Sequence, residues 1–316
     1  MKKTLLTLAV GALFAASSGA RADVFARAYN EVTNLVISTS PGVVIGGSFN
    51  NSSANACLPN GTCVSRGGAG FTDAPVAQIG LPIYVNNSYA SHQGFATSYA
   101  VADASIDSQQ LQGAPYTRAR NFAEGQLLSN STANANAGNS SATLLRTSII
   151  VGSAGGTVNF RFDAHPYILS YLSANSMSPA QAEGSIELNF SIINNRGNVV
   201  FNWAPDGYNG SVRGGVENAD AFTLNTSLTA MSANPGPLVF DPSNCAVGSL
   251  AGGCFNATSN PLAAGIYTMN LSMRQNINLQ SVAAVPEPEA YAMFIIGLGL
   301  LAFTARRRHP ASAKFE

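Results

Sequence analysis

The sequence predicts a mainly β fold: an antiparallel β-sandwich-like exported domain, preceded by an N-terminal signal helix and followed by a short C-terminal transmembrane helix. Three observations predict it. Apolar residues in the middle of the chain recur at every second position. The runs are separated by turns rich in Gly, Asn, Ser and Pro, and each end carries a short apolar segment beside basic residues.

The N-terminus reads MKKTLLTLAVGALFAASSGARADV. Lys2 and Lys3 precede an apolar run from Leu5 to Ala16, and Ala20-Arg21-Ala22 fits a small-residue cleavage site. That order of charge, apolar core and small-residue exit is the layout of a secretory signal peptide, residues 1–22, with the mature chain starting at Asp23.

The β-rich exported domain is assigned to residues 23–280, a length that suits one large all-β domain or two small ones. Hydrophobic residues make up 46% of the chain and charged residues 10%, against roughly 25% charged in an average soluble domain. No lysine occurs between Asp23 and Val285, so solvation falls to Asn, Ser, Thr and Gly. A surface without a basic face has nothing to neutralise phosphates, which argues against nucleic-acid binding.

Within this domain Ile186, Leu188, Phe190 and Ile192 alternate with Glu187, Asn189 and Ser191, and Val199–Trp203 follows an Asn-Asn-Arg-Gly-Asn turn. The pair predicts a hairpin over 186–203, closed by Pro205-Asp206-Gly207. Val158–Phe162 and Tyr267–Met273 alternate in the same way. Weaker patterns predict strands at Val32–Ser38, Gly94–Ala102, Leu144–Val151 and Phe222–Leu228. Helix is expected in Ser105–Leu128, interrupted by Gly113 and Pro115, and in Ser178–Gly184. Ser129–Thr143 holds nothing apolar larger than alanine and is expected to be a loop.

Four cysteines lie in the exported part, Cys57, Cys63, Cys245 and Cys254. An even set in an oxidising compartment reads as disulfides, with three pairings possible. The local one, Cys57–Cys63 and Cys245–Cys254, is favoured because both pairs sit in Asn/Pro/Gly-rich stretches. The spacings are wide for a zinc ribbon, and no histidine is near either pair.

Hydrolase, P-loop, zincin and EF-hand motifs are missing from the sequence. Asp163 and His165 would share a strand face, where a carboxylate orients an imidazole, but a nucleophile and an oxyanion site would still be needed. Asp103 with Asp107, or Glu183 with Glu187, are the carboxylate pairs to weigh for glycoside hydrolysis, and solvated surface charge is the simpler reading. Asn202–Ser211 combines Trp203 and Tyr208 with amides and Asp206, the makings of a sugar-stacking or calcium-ligating loop. Trp203 ends an alternating strand, so a core tryptophan is the expectation there. On these grounds the sequence assigns no catalytic, cofactor-binding or metal residues and no cofactor.

The tail divides into a linker at 281–289 containing Pro286-Glu287-Pro288, an apolar segment at 290–305, and a basic tail at 306–316 opened by Arg306, Arg307 and Arg308. The apolar run Tyr291–Ala305 would be a helix of about 22 Å, short of the ~30 Å hydrocarbon core. Long arginines at its end make up part of the deficit and, by the positive-inside rule, stay cytoplasmic. Val-Pro-Glu-Pro, a short apolar segment and an arginine cluster, Val285–Arg308, resemble the PEP-CTERM sorting signal of Gram-negative bacteria. The eight residues after Arg308 are a modest extension of that pattern. The resemblance implies export, a transient hold in the inner membrane, and processing by an exosortase-type enzyme. It also implies delivery to the cell surface or an extracellular exopolysaccharide matrix. Less specifically, the Asn/Ser/Thr/Gly-rich body resembles exosortase-dependent surface proteins. The function expected is therefore a non-catalytic surface or biofilm-matrix protein associated with exopolysaccharide. The alternatives are a secreted polysaccharide-active enzyme with the same tag, or a membrane-anchored periplasmic protein whose tail is never cut.

Overall fold

Period-two patterning becomes two antiparallel sheets. The computed structural model describes residues 24–41, 43–58, 62–70, 72–80, 83–94, 96–106, 117–128, 131–147, 155–173, 179–210, 212–242, 254–281, 295–298 and 300. The chain divides into two units, Met1–Val282 and Ala283–Glu316. Strands are numbered in chain order. One sheet runs Gly215–Asp220 (β11), Phe255–Ser259 (β14), Val158–Leu172 (β8), Val24–Thr39 (β1), Thr117–Leu127 (β6), Tyr99–Ile106 (β5), Asp73–Gly80 (β4). Gly236–Phe240 (β13) pairs with the far end of β8. The other runs Val199–Trp203 (β10), Ala180–Asn194 (β9), Gly265–Ser281 (β15), Ser131–Thr147 (β7), Val43–Leu58 (β2), Thr62–Ala69 (β3). Thr226–Met231 (β12) also pairs with β9. Described pairings are antiparallel throughout.

The core between the sheets has two chemical halves. One is aromatic: Phe160 and Phe162 of β8 meet Phe190 of β9 and Phe201 and Trp203 of β10. Phe160 stacks on Phe201 at 5.2 Å between ring centres, Phe162 on Phe255 at 4.8 Å, and Phe190 on Trp203 at 5.4 Å. Burying each such ring stabilises by about 1.5–3 kcal/mol, and stacking adds about 0.5–1.5 kcal/mol per pair. The other half is lined by alanine, including Ala26, Ala28, Ala54, Ala102, Ala123 and Ala182. Small side chains let the sheets approach closely there. A Cβ on Gly184 of β9 would stand 2.8 Å from Ile168 Cγ2, and one on Gly125 of β6 would stand 2.7 Å from Ile277 Cδ1.

The expected hairpin over 186–203 is present as β9 and β10, and the alternating runs at 158–162 and 267–273 lie in β8 and β15. Three expectations are overturned. Ser129–Thr143 is not a loop: from Ser131 onward it is β7, paired on both sides by β15 and β2. Its alanines at 133, 135 and 137 alternate with Asn134 and Asn136, a period of two written in small residues. Ser105–Leu128 is not helical where it is described. Ile106 ends β5, and Thr117–Leu127 is β6, with Ala119, Ala123 and Leu127 in the core and Phe122 and Glu124 buried too. Ala180–Gly184 likewise opens β9 as strand. In β6 burial on both faces hides the alternation, because neither side is left to be solvent-like.

The signal peptide, with Ala20, Ala22 and Asp23, lies outside the described residues, as do Pro286, Glu287, Pro288, Arg306, Arg307 and Arg308. Within the expected transmembrane segment, 295–298 and 300 are helical. Among the described residues no helix is long and apolar enough to cross a membrane. The Cys57–Cys63 disulfide is formed across β2 and β3, with Cα atoms 4.2 Å apart. Cys254 is also disulfide-bonded, and Cys245 lies outside the described residues.

Candidate functional site

Among the described residues, three places concentrate polar chemistry. The first is on the outer face of the first sheet, under the loop 83–94. Glu124 of β6 is fully buried. It accepts hydrogen bonds from the Tyr84 hydroxyl, from the Tyr99 hydroxyl at 2.9 Å and from the His92 backbone N–H at 3.0 Å, and it pairs with Arg27 at 3.3 Å. Arg27 also donates to the Tyr89 carbonyl at 2.8 Å. Burial and the Glu124 carboxylate hold the Tyr84 and Tyr99 hydroxyls far above the usual phenol range. Beside them Asp103, 2% exposed, accepts from the Asn87 N–H. Burial pushes it up to about 6. This network clamps the loop to the sheet, and its carboxylate is saturated with donors.

The second place is the outer face of the second sheet. Along β9 and β15 the residues opposite one another are Asn189 and Ser272, Glu187 and Arg274, Ser185 and Asn276, Glu183 and Asn278. These residues are exposed or half-buried. Continuing the register of Asn276, the next strands contribute Asn136, Asn55 and Ser65. On β9 and β15 amides and hydroxyls thus recur about every 4.8 Å across the pair and about every 6.7 Å along each strand.

The third place joins the loop after β10 to β11. Trp203 is buried at the end of β10, as its place in the alternation predicts. Its indole N–H donates to Glu217 Oε1. Glu217 Oε2 accepts from the Gly210 N–H at 3.0 Å. Asp220 Oδ2 accepts from the N–H groups of Asp206 and Gly207 at 2.8 and 2.9 Å. Glu217 and Asp220 are three apart and would face opposite ways on a regular strand. The register of β11 against β14 shifts between Glu217 and Ala219, and this bulge turns both carboxylates inward. Oxygens of Asp206, Glu217 and Asp220 come within 4.8 Å of one another. Burial, with the neighbouring Glu217 carboxylate, pushes Asp220 up to about 6 against the pull of the two backbone N–H groups.

The other residues weighed from the sequence are kept apart. Asp163 is committed to Asn34 Nδ2 at 2.9 Å and the Cys254 N–H at 3.2 Å, where it fastens an irregularity in β1. His165 is exposed and stands opposite Glu31 in the register. Glu183 and Glu187 lie four residues apart on one strand, about 13 Å along it, wider than a glycosidase pair. Asp107 lies outside the described residues.

The tail matches a known sorting signal: the PEP-CTERM protein-sorting motif covers residues 284–308. The chain therefore carries a PEP-CTERM sorting signal. It takes in the Pro-Glu-Pro triplet, the apolar segment and the three arginines, as the sequence resemblance implies. The motif implies export through a membrane-anchored sorting step and processing by an exosortase-type enzyme. No curated protein matches the chain.

Proposed function

We propose that this is a non-catalytic surface or extracellular-matrix protein, delivered by its PEP-CTERM signal and associated with exopolysaccharide. The observation that carries the reading is the sorting motif at 284–308. The physical role is to present a neutral, hydrogen-bonding face to hydroxyl-rich polymer. Two further features support it. The outer face of β9 and β15 carries mostly Asn, Ser, Thr and Gln, with Glu183 and a single described pair of opposite charge, Glu187 against Arg274. The buried Glu124, Asp163 and Glu217 are engaged in holding loops and strands together, a structural use of carboxylates that elsewhere serve catalysis.

The test is intact-mass spectrometry of the protein from its native host, on cell envelope and culture medium separately. The expected mass starts at Asp23, ends near Pro286–Glu289 and is found outside the inner membrane. A mass that still includes Arg306–Glu316, found only with the inner membrane, would make the tail a plain anchor and remove the reading. Secreted material from a strain lacking the protein should form a weaker matrix; an unchanged matrix would remove the matrix role.

A further inference from the structure

The carboxylates of Asp206, Glu217 and Asp220 converge without a positive partner. Glu217 and Asp220 are 6% and 9% exposed. The donors that meet the three carboxylates are an indole N–H and four backbone N–H groups, none of which carries a charge. The ion pairs among the described residues, Arg27–Glu124 and Arg118–Glu31, do not involve this cluster. Asp220 Oδ1 is buried and accepts no hydrogen bond. A carboxylate oxygen in that state is costly unless something not yet counted meets it.

We infer that Asp206, Glu217 and Asp220 form a binding site for a divalent cation of the calcium type, with the orphaned Asp220 Oδ1 as its buried ligand. Three lines of chemistry select the ion. The donors are all oxygen, with no histidine or cysteine in the group, which disfavours zinc. Calcium sits about 2.3–2.6 Å from its oxygens, so ligand pairs up to about 5 Å apart are spanned by one ion, and 4.8 Å falls inside that limit. The ligands come from a turn and a bulged strand, an irregular frame that calcium tolerates and that magnesium, with its strict octahedron, does not. Water and nearby backbone carbonyls complete the shell.

The ion would fasten the loop 204–210 to β11. Without it Asp220 and Glu217 are adjacent like charges, a pair that favours retaining a proton. Tyr208, 76% exposed, is carried on the same loop. The inference rests on the body alone and holds wherever the protein is delivered.

Trp203 is the chain's single tryptophan, and it donates directly to Glu217. Terbium, a calcium surrogate, should therefore give tryptophan-sensitised luminescence when added to the purified protein at pH 7.5. Calcium should displace it, with a dissociation constant of order 10⁻⁴–10⁻³ M, the range of extracellular modules. Asp220→Asn and the more exposed Asp206→Asn should each weaken terbium and calcium binding at least about tenfold, the second without disturbing the core. Calcium at 10 mM should raise the thermal midpoint of the wild type and leave that of Asp220→Asn unmoved. No sensitised signal, or variants that bind like the wild type, would overturn the inference. So would a midpoint that ignores calcium and rises only below about pH 6, because the pair would then be held by a shared proton.

Discussion

Replacing Glu124 with alanine removes the acceptor that three donors and one guanidinium share. The Tyr84 and Tyr99 hydroxyls and the His92 N–H lose their shared acceptor. Each buried donor left unsatisfied costs about 1–3 kcal/mol, reduced where water enters the new space. Arg27 fares worse. Its side chain is 15% exposed, it keeps the Tyr89 carbonyl and the face of Phe122 at 5.0 Å, but it loses its counter-ion. Breaking a buried pair from one side costs about 3–5 kcal/mol. These terms overlap, so the expected loss is about 3–5 kcal/mol in all, or roughly 10 °C in thermal midpoint. Urea titration followed by Trp203 fluorescence measures the total. Hydrogen exchange over 83–94 measures the local part, and the loop amides should lose protection first. Adding Arg27→Met to Glu124→Ala should recover part of the loss, because the stranded charge disappears. A loss below about 1 kcal/mol, an unchanged loop, or a double variant less stable than Glu124→Ala would refute the account of a charge-anchored clamp.

Other outcomes follow from the same structure. Asp103 has a folded pKa of about 6, above its ordinary value of 3.8, so its contribution to stability is complete below about pH 4 and is lost as pH rises through about 6. Asp103→Asn should therefore be relatively more stable than the wild type at pH 7.5 and not at pH 4, as read by urea midpoints; equal differences at both would be contrary. Gly184→Val drives a side chain into Ile168 and should destabilise by about 1–3 kcal/mol, or abolish soluble expression, whereas Gly265→Ala, whose Cβ would meet nothing closer than Tyr267 Cε2 at 3.5 Å, should be far milder. Reducing Cys57–Cys63, which closes a separation of 6 residues, should cost about 2 kcal/mol by loop entropy. Thermal melts of a Cys57→Ser/Cys63→Ser variant would read it, and an unchanged midpoint would show that the edge pairing of β2 and β3 needs no staple.

The hairpin over 186–203 was legible because large apolar residues alternate there with Glu, Asn and Ser, so pattern and burial coincide. In β7 the same alternation is carried by alanine and asparagine, whose small contrast in hydrophobicity looks like low complexity until the facing Ala54 and Ala56 supply a close partner. In β6 the outward Phe122, Glu124 and Gln126 are covered by a loop from elsewhere in the chain, so polar and apolar residues are buried together. The site was half legible. Asp206, Trp203 and Tyr208 stood out as a group in the sequence. Glu217 and Asp220 did not, because a spacing of three hides their shared face unless the bulge in β11 is known. The sorting motif needed no fold at all, since it is a linear signal.

β15 is the last strand of the body, and it is central, with β9 on one side and β7 on the other along nearly its whole length. Until Ser281 has emerged on the far side of the membrane, β9 and β7 are raw edges of two unjoined half-sheets. A chain exported N-terminus first would therefore leave the body unfinished until β15 has crossed. Once the sheet has closed, a pull on Ser281 directed along β15 runs alongside both of its neighbours. The load is then a shear shared by two long ladders, which must yield together, rather than a peel that opens one rung at a time.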